Sequence, residues 1–216
     1  KITRKIGRWV DFENDYKTMD IDFMESVWWV FKELWEKELI YQDYKVLPYS
    51  WAASTPLSNF EANMDYREVE DPSIYFTLNA RDDFNDVKKN DKFLVWTTTP
   101  WCIPGNLAIA VGKDIEYSRI SLKNQFYWIA SERLHELKDY EVEIVSTCLG
   151  KDLIGATYIP AYEEYEDLYS EGAFRLIHSN DTNTESGSGL VSQAPAYGES
   201  DFYALKNSGI EVIADP

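Results

Sequence analysis

Residues 96 to 106 read Trp96-Thr97-Thr98-Thr99-Pro100-Trp101-Cys102-Ile103-Pro104-Gly105-Asn106, three consecutive hydroxyls between two indoles with a proline-bracketed turn behind them. Small polar donors set among apolar walls line small-molecule pockets. The same run also fits the end of a strand, because Thr is β-branched and favours extended backbone. Both readings stand on spacing alone. A second stretch, Gly187-Ser188-Gly189-Leu190-Val191-Ser192-Gln193-Ala194-Pro195-Ala196-Tyr197-Gly198-Glu199-Ser200-Asp201, has its own logic. Gly187 and Gly189 permit close backbone approach, a short strand follows, and Pro195 to Gly198 turns the chain into a helix. Glu199 and Asp201 fall in its first turn, where the positive helix end keeps a carboxylate ionised. Such a carboxylate either anchors an ammonium group or caps the helix.

The elements that must position these residues follow from periodicity. Phe23, Val27, Trp28, Phe31, Leu34 and Trp35 recur at helical spacing, with Asp22 and Glu25 as a start signal and Glu33–Lys37 as an exposed pair. Tyr44 to Tyr49 reads as extended. Beyond Pro72 the pattern changes to short strands at 74–78, 92–96, 107–111, 116–120, 125–130, 141–147, 173–177 and 189–193. Ser131 opens a short helix, and another runs from Glu199 to Asn207 with Gly209 as its stop. The expected fold class is α+β and β-rich, a barrel-like antiparallel sheet with peripheral helices and an N-terminal helical segment. The expected division is a helical and connecting segment over 1–70 and a β-rich domain over 71–216. Glu163 to Asp167 and Ser179 to Ser188 read as solvated loops.

The 216 residues are 44% hydrophobic, enough for a real core, and aromatic at 15%. A net charge of -17 argues against broad electrostatic binding of DNA or RNA, so a polynucleotide is expected to enter through a small local site or to rely on surfaces that this piece lacks. No apolar run spans a bilayer, and no membrane partner is expected. Cys102 and Cys148 are too few for a disulfide scaffold or a cysteine-based zinc site, which points to a reducing compartment. Lys1-Ile2-Thr3-Arg4 resembles neither a signal peptide nor a natural start, so the chain reads as an excised piece. His135 and His178 read as surface residues, and Cys102 as a small core residue, with no histidine nearby to activate it.

Taken together, Trp-Thr-Thr-Thr-Pro-Trp-x-x-Pro-x-Asn and the later Gly-x-Gly-x-Val-x-x-Ala-Pro-x-x-Gly-x-x-Asp resemble the editing (connective peptide 1) domain of a eukaryotic-type cytoplasmic isoleucyl-tRNA synthetase. Arg8-Trp9-Val10-Asp11-Phe12-Glu13-Asn14-Asp15-Tyr16-Lys17-Thr18-Met19-Asp20, Lys45-Val46-Leu47-Pro48-Tyr49-Ser50 and Pro56-Leu57-Ser58-Asn59-Phe60-Glu61 extend the resemblance into the N-terminal third. It implies hydrolysis of a wrongly attached amino acid, mainly valine, from the 3′-terminal adenosine of tRNA(Ile). The partners implied are the tRNA acceptor end and the rest of the parent synthetase, in the cytoplasm. Neither synthetic signature, His-Ile-Gly-His or Lys-Met-Ser-Lys-Ser, is present, so ATP and magnesium belong to the parent enzyme and no cofactor is implied here. Some relatives hold a metal after the Lys45-like segment, but 45–61 contains no Cys or His.

By this resemblance Thr97, Thr98, Thr99 and Asn106 hold the adenosine, the ester and the attacking water, while Asp201 pairs with the substrate ammonium. Trp101, Cys102, Ser192, Gly187 and Gly189 border the side-chain pocket. The chain departs from the family at several of these positions. Ser192 stands where the family has a pocket histidine, Cys102 where it has Thr, Ser188 in the middle of Gly-Thr-Gly, and Ser200 at an acidic position. The Ser192 change enlarges the pocket and removes a donor. Two outcomes follow: a deacylase with a blurred size filter, or a non-catalytic insert that supports the parent enzyme or guides the tRNA end.

Overall fold

A computed structural model describes residues 2–64, 67–68 and 70–211. The chain divides into two compact units, 1–44 and 45–216. The first holds α1 (Ile2–Lys5) and α2 (Ile21–Glu36). Helix α2 starts at Asp20, which takes the extended N-cap conformation, so Asp22 lies in the first turn instead of opening the helix. Glu33 and Lys37 pair at 3.9 Å, as their spacing requires. The apolar stripe predicts a buried face, yet none of the α2 residues is buried, and Trp28, Trp29 and Trp35 are 68%, 62% and 60% exposed. A unit with one long helix and one single-turn helix has no second layer to bury such a stripe.

The second unit opens with β1 (Tyr49–Ser50) and β2 (Thr55–Pro56), an antiparallel pair, followed by α3 (Asn59–Ala62). Ser58 and Glu61 cap α3 reciprocally, side chain to backbone in both directions. The main sheet comprises β3 (Ile74–Asn79), β4 (Lys92–Thr97), β5 (Ala108–Val111), β6 (Glu116–Leu122), β7 (Gln125–Ala130), β8 (Glu143–Leu149), β9 (Arg175–His178) and β10 (Val191–Gln193). Two helices accompany it, α4 (Gly150–Leu153) and α5 (Glu199–Asn207). Strand order is β8-β6-β7-β4-β10-β5-β9, with β3 on the free side of β4.

Strand β4 is where the sheet forks. It pairs with β3 from end to end, while its other edge passes from β7, at Lys92 and Phe93, to β10, at Trp96. One strand with three neighbours cannot lie in a flat sheet, so the sheet curls into the barrel-like β-rich fold. The pairings of β3–β4, β6–β7, β6–β8 and β5–β10 are antiparallel, whereas β4–β7, β4–β10 and β5–β9 are parallel. Strand β10 returns after a long excursion and owes its direction to no hairpin, which is how parallel pairs enter.

Two loop expectations change. Glu163–Glu171 is a 3-10 helix closed by Gly172 at φ 95°, although it remains at the surface. The 179–188 stretch is only partly solvated, because Ser179, Thr182, Gly187 and Ser188 are buried. Ser179 at its start is held by its N–H to the Val111 carbonyl, and its end is clamped by Arg133, in the 3-10 helix Ser131–Leu137, which donates to the carbonyls of Thr184, Glu185 and Gly187.

The core between the sheet and its helices includes Phe93, Val95, Leu107, Tyr117, Trp128 and Leu176, each fully buried. One charged pair is fixed at its edge. Asp91, 2% exposed, accepts two bonds from Arg119 at 2.7 and 2.8 Å, one from Trp128 Nε1 at 3.1 Å and one from the Lys88 N–H at 2.9 Å. Asp91→Ala leaves the Arg119 guanidinium and the indole N–H unpaired, which costs about 3–5 kcal/mol. Urea unfolding of the variant should show that loss, and a change under about 1 kcal/mol, the worth of an exposed pair, would contradict it.

Candidate functional site

The threonine run begins at the last residue of β4. Thr97 faces inward, 8% exposed, and its Oγ1 accepts the Thr99 N–H at 3.1 Å and lies 3.2 Å from Thr99 Oγ1. That local bond turns the chain out of the strand, as Ser and Thr hydroxyls do at turns. Thr98 is exposed and Thr99 half-buried. Pro100 then starts a 3-10 helix over Pro100–Gly105, where its missing N–H costs nothing. Trp101 stands 59% exposed, while Cys102 faces in at 8%. The run is therefore both things the sequence allowed: the end of a strand, and a set of hydroxyls beside an exposed indole.

Strand β10 brings the second motif alongside. Val191 pairs with Trp96 in parallel register, so Ser192 lies beside Thr97 at the strand ends. On its other edge β10 pairs with β5, Ser192 opposite Ile109 and Gln193 opposite Ala108. The glycines before β10 do what close approach requires. A Cβ on Gly187, at φ 67°, would sit 2.5 Å from the Trp96 ring, and one on Gly189, at φ 75°, would sit 2.4 Å from Ala130 Cβ. Only glycine fits either place.

Asn106 ties these strand ends together. It is 5% exposed, and its Nδ2 donates to the Ala108 carbonyl at 2.9 Å and Ser192 Oγ at 2.9 Å, with the Gln193 carbonyl at 3.5 Å. Its Oδ1 accepts from the fully buried Tyr158 hydroxyl at 2.6 Å. The side chain is thus bound within the protein on both sides. Tyr158 carries no local sequence signal, because it precedes no motif and meets Asn106 only through the fold. Arg133, which holds the loop bearing Gly187, is equally silent in sequence.

Asp201 lies in the first turn of α5 and folds back on the strand end, its Oδ2 accepting the Ala194 N–H at 2.8 Å. Gly198 leaves room for it, since a Cβ there would come within 3.2 Å of the carboxyl carbon. Burial pushes the Asp201 carboxyl above its usual range, the Ala194 N–H and Ser200 hydroxyl pull it down, and the charge of Asp181 pushes it up again. Burial is the largest influence on this carboxyl.

Asp201 reaches the end of β10 through Ala194, one residue past Gln193. The Cys102 thiol is raised above its ordinary value first by burial, lowered by a hydrogen bond with the Thr99 side chain, and raised by the charge of Asp201. A raised thiol is a poor nucleophile, in keeping with Cys102 as a small packing residue. Asn106, Ser192 and Asp201 thus meet at the end of β10, the strand whose Val191 pairs with Trp96, next to Thr97 in β4. His135 is exposed, and His178 is tied by its ring nitrogens to the Val111 carbonyl and Asn180. Among the described residues no cluster of three His, Cys, Asp or Glu side chains is placed to hold a metal. The arrangement offers hydroxyl and backbone donors beside a partly desolvated carboxylate, which suits recognition of an ammonium group next to an ester carbonyl.

The family model described as tRNA synthetases class I (I, L, M and V) matches residues 1–186. The chain is 47% identical to an isoleucine–tRNA ligase of Bdellovibrio bacteriovorus over 97% of its own length and 20% of that protein. It is 42% identical to a probable cytoplasmic isoleucine–tRNA ligase of Dictyostelium discoideum, again over 97% of this chain and 20% of the relative. The chain therefore spans about a fifth of the relatives it matches. Among solved structures, the connective-peptide 1 domain GlLeuRS-CP1 superposes with a TM-score of 0.52 at 17% identity, covering 63% of this chain and 59% of that one. The P. knowlesi cytosolic leucyl-tRNA synthetase editing domain gives 0.50 at 12% identity, with 62% and 60% covered. The chain belongs to the class I tRNA synthetases of the I, L, M and V group, similar in sequence to isoleucine–tRNA ligases and in fold to connective-peptide editing domains.

Proposed function

We propose that this chain hydrolyses the ester joining a misattached valine to the 3′-terminal adenosine of tRNA(Ile), as the editing domain of an isoleucyl-tRNA synthetase. The observation that carries the reading is the half-buried Asp201 carboxylate, fixed by the Ala194 N–H at the end of β10, the strand whose Ser192 is bonded to Asn106. A carboxylate held in place and partly out of water can bind the substrate ammonium strongly. An aminoacyl ester is already reactive, so its hydrolysis needs a positioned water and a stabilised oxyanion more than a protein nucleophile. The need for a second site is energetic. One methylene is worth only about 1–3 kcal/mol in a pocket, the known case of isoleucine against valine in these synthetases.

The tRNA acceptor end and the remainder of a parent synthetase are the partners proposed. A lone splayed-out nucleotide is read by stacking and hydrogen bonds in a small site, which suits a chain of net charge -17. A cytoplasmic setting accords with two free cysteines. Among the described residues no helix is long and apolar enough to cross a membrane. The alternative, a non-catalytic insert guiding the tRNA end, draws support from Asn106, whose amide is bound to the protein and leaves little for a substrate.

The test is deacylation of valyl-tRNA(Ile) by the full-length synthetase carrying this chain, because an isolated acidic domain binds tRNA weakly. Asp201→Ala should abolish hydrolysis, whereas Asp181→Ala should retain it and move the acid limb of the pH profile downward, since Asp181 raises the Asp201 carboxyl. Equal rates for Asp201→Ala and the unsubstituted enzyme would show the anchor to be misassigned. Hydrolysis should increase as pH rises through the Asp201 pKa, which lies above the ordinary 3.8. Stability moves in the opposite sense. A carboxyl whose folded pKa is raised contributes stability below its unfolded value, and that contribution is lost as pH rises through the folded one.

The pocket wall gives a further expectation. With Ser192 in place of a histidine, isoleucyl ester should also be hydrolysed, and discrimination should fall by about 10–200-fold. Ser192→His should restore it by sparing the isoleucyl ester. An unsubstituted enzyme that clears valyl-tRNA(Ile) and leaves isoleucyl-tRNA(Ile) intact would contradict the enlarged pocket.

A further inference from the structure

The hydrogen bonds around Asn106 have a direction, and it determines what Ser192 does. Nδ2 lies 2.9 Å from the Ala108 carbonyl and 3.5 Å from the Gln193 carbonyl. Carbonyl oxygens only accept, so the nitrogen of the amide must face them and Oδ1 must face Tyr158. Reversing the amide would set its oxygen against both carbonyls. The Tyr158 hydroxyl, fully buried and 2.6 Å from Oδ1, must then donate. At the other end, an amide nitrogen has no lone pair to offer, so in the 2.9 Å contact with Ser192 the hydroxyl oxygen accepts.

That leaves the Ser192 proton. Among the described residues its hydroxyl oxygen has Asn106 as its hydrogen-bond partner and donates to nothing else. Ser192 is half-buried, stands beside Thr97 in the sheet, and lies two residues before Ala194, whose N–H holds Asp201. We propose that Ser192 is a hydrogen-bond donor to the carbonyl oxygen of the substrate ester, its proton directed there by the Tyr158→Asn106→Ser192 chain of donors. The assignment rests on the ester-hydrolase reading above. It restores to this chain, through a hydroxyl, the donor that replacement of the histidine removed.

Each member has a distinct part. Ser192 meets the oxygen that becomes negative as water adds to the ester carbon, so its bond strengthens toward the tetrahedral intermediate and acts on kcat more than on KM. Asn106 and Tyr158 are positioning residues. Asn106 remains fixed by two backbone carbonyls even without the tyrosine hydroxyl, so the Tyr158 contribution is the smaller.

The experiment measures kcat and KM for valyl-tRNA(Ile) in the full-length synthetase with Ser192→Ala, Ser192→Thr and Tyr158→Phe, and with Trp128→Phe as a buried control away from Asn106. Ser192→Ala should lower kcat on the order of 100-fold, the usual loss for one oxyanion donor, with KM little changed. Ser192→Thr, which keeps the hydroxyl, should retain most activity, and Tyr158→Phe should lose less than about 10-fold, because Asn106 keeps its carbonyl partners. Trp128→Phe should lose stability and leave kcat unchanged. Unchanged kcat in Ser192→Ala, an effect on KM alone, or equal losses in Ser192→Ala and Ser192→Thr would each overturn the assignment.

Absence of hydrolysis by the unsubstituted enzyme would overturn the function itself. The donor chain is read separately, without activity, from the Asn106 side-chain amide protons by nuclear magnetic resonance of the chain. Both should exchange slowly with solvent, and one should lose protection in Ser192→Ala. Free exchange of both, or no response to Ser192→Ala, would show that the polarity is wrong.

Discussion

The Asn106 side chain reaches the Ala108 carbonyl at the start of β5, the Ser192 hydroxyl in β10 and the Tyr158 hydroxyl from a distant loop, all within ordinary hydrogen-bond distance. It is the side chain that joins all three of these segments beside the fork in the sheet. Backbone bonds supply the rest of the bracket, with Leu107 N–H donating to the Gln193 carbonyl and Trp96 N–H to the Leu190 carbonyl. A buried network of this kind is expensive if any member is lost, because each orphaned group carries its full desolvation cost. The site is consequently built on strand ends, and its least fixed parts are the exposed Thr98 and Trp101.

Asp201 illustrates the tension between stability and chemistry. Its carboxylate is drawn out of water and lies within reach of the like charge of Asp181, and both raise its pKa. In an empty site this is a destabilising arrangement at neutral pH. On the proposed function, an ammonium group would remove the penalty by pairing with the carboxylate, and the cost would become affinity for a cationic substrate end. On the same proposal the overall charge of -17 would not oppose RNA recognition, because only the terminal nucleotide and its amino acid would need to enter.

The sequence carried the local half of this structure. Periodicity located β4, β7 and α5 nearly to the residue, since their apolar pattern and glycine stop are local signals. Gly187 and Gly189 were legible as points of close approach, and the structure shows the indole of Trp96 and the methyl of Ala130 that require them. The parallel pairings of β4 were not legible, because strand partners distant in sequence leave no mark in either strand. Tyr158 and Arg133 were silent for the same reason, and the buried Gly187 end of the 179–188 stretch is held by Arg133, a contact that its polar composition does not announce. Helix α2 shows the opposite failure, a strong amphipathic signal with no layer in its own unit to cover it.

The central claim is that Asp201 and the end of β4 address the same substrate molecule. The most direct test is a crystal structure of the protein with 3′-valylamino-3′-deoxyadenosine, a stable amide in place of the ester. The account predicts the valyl ammonium within hydrogen-bond distance, about 2.7–3.2 Å, of Asp201, with the carbonyl beside Ser192 and the threonine run. Binding with the ammonium remote from Asp201, or at another face of the sheet, would contradict it.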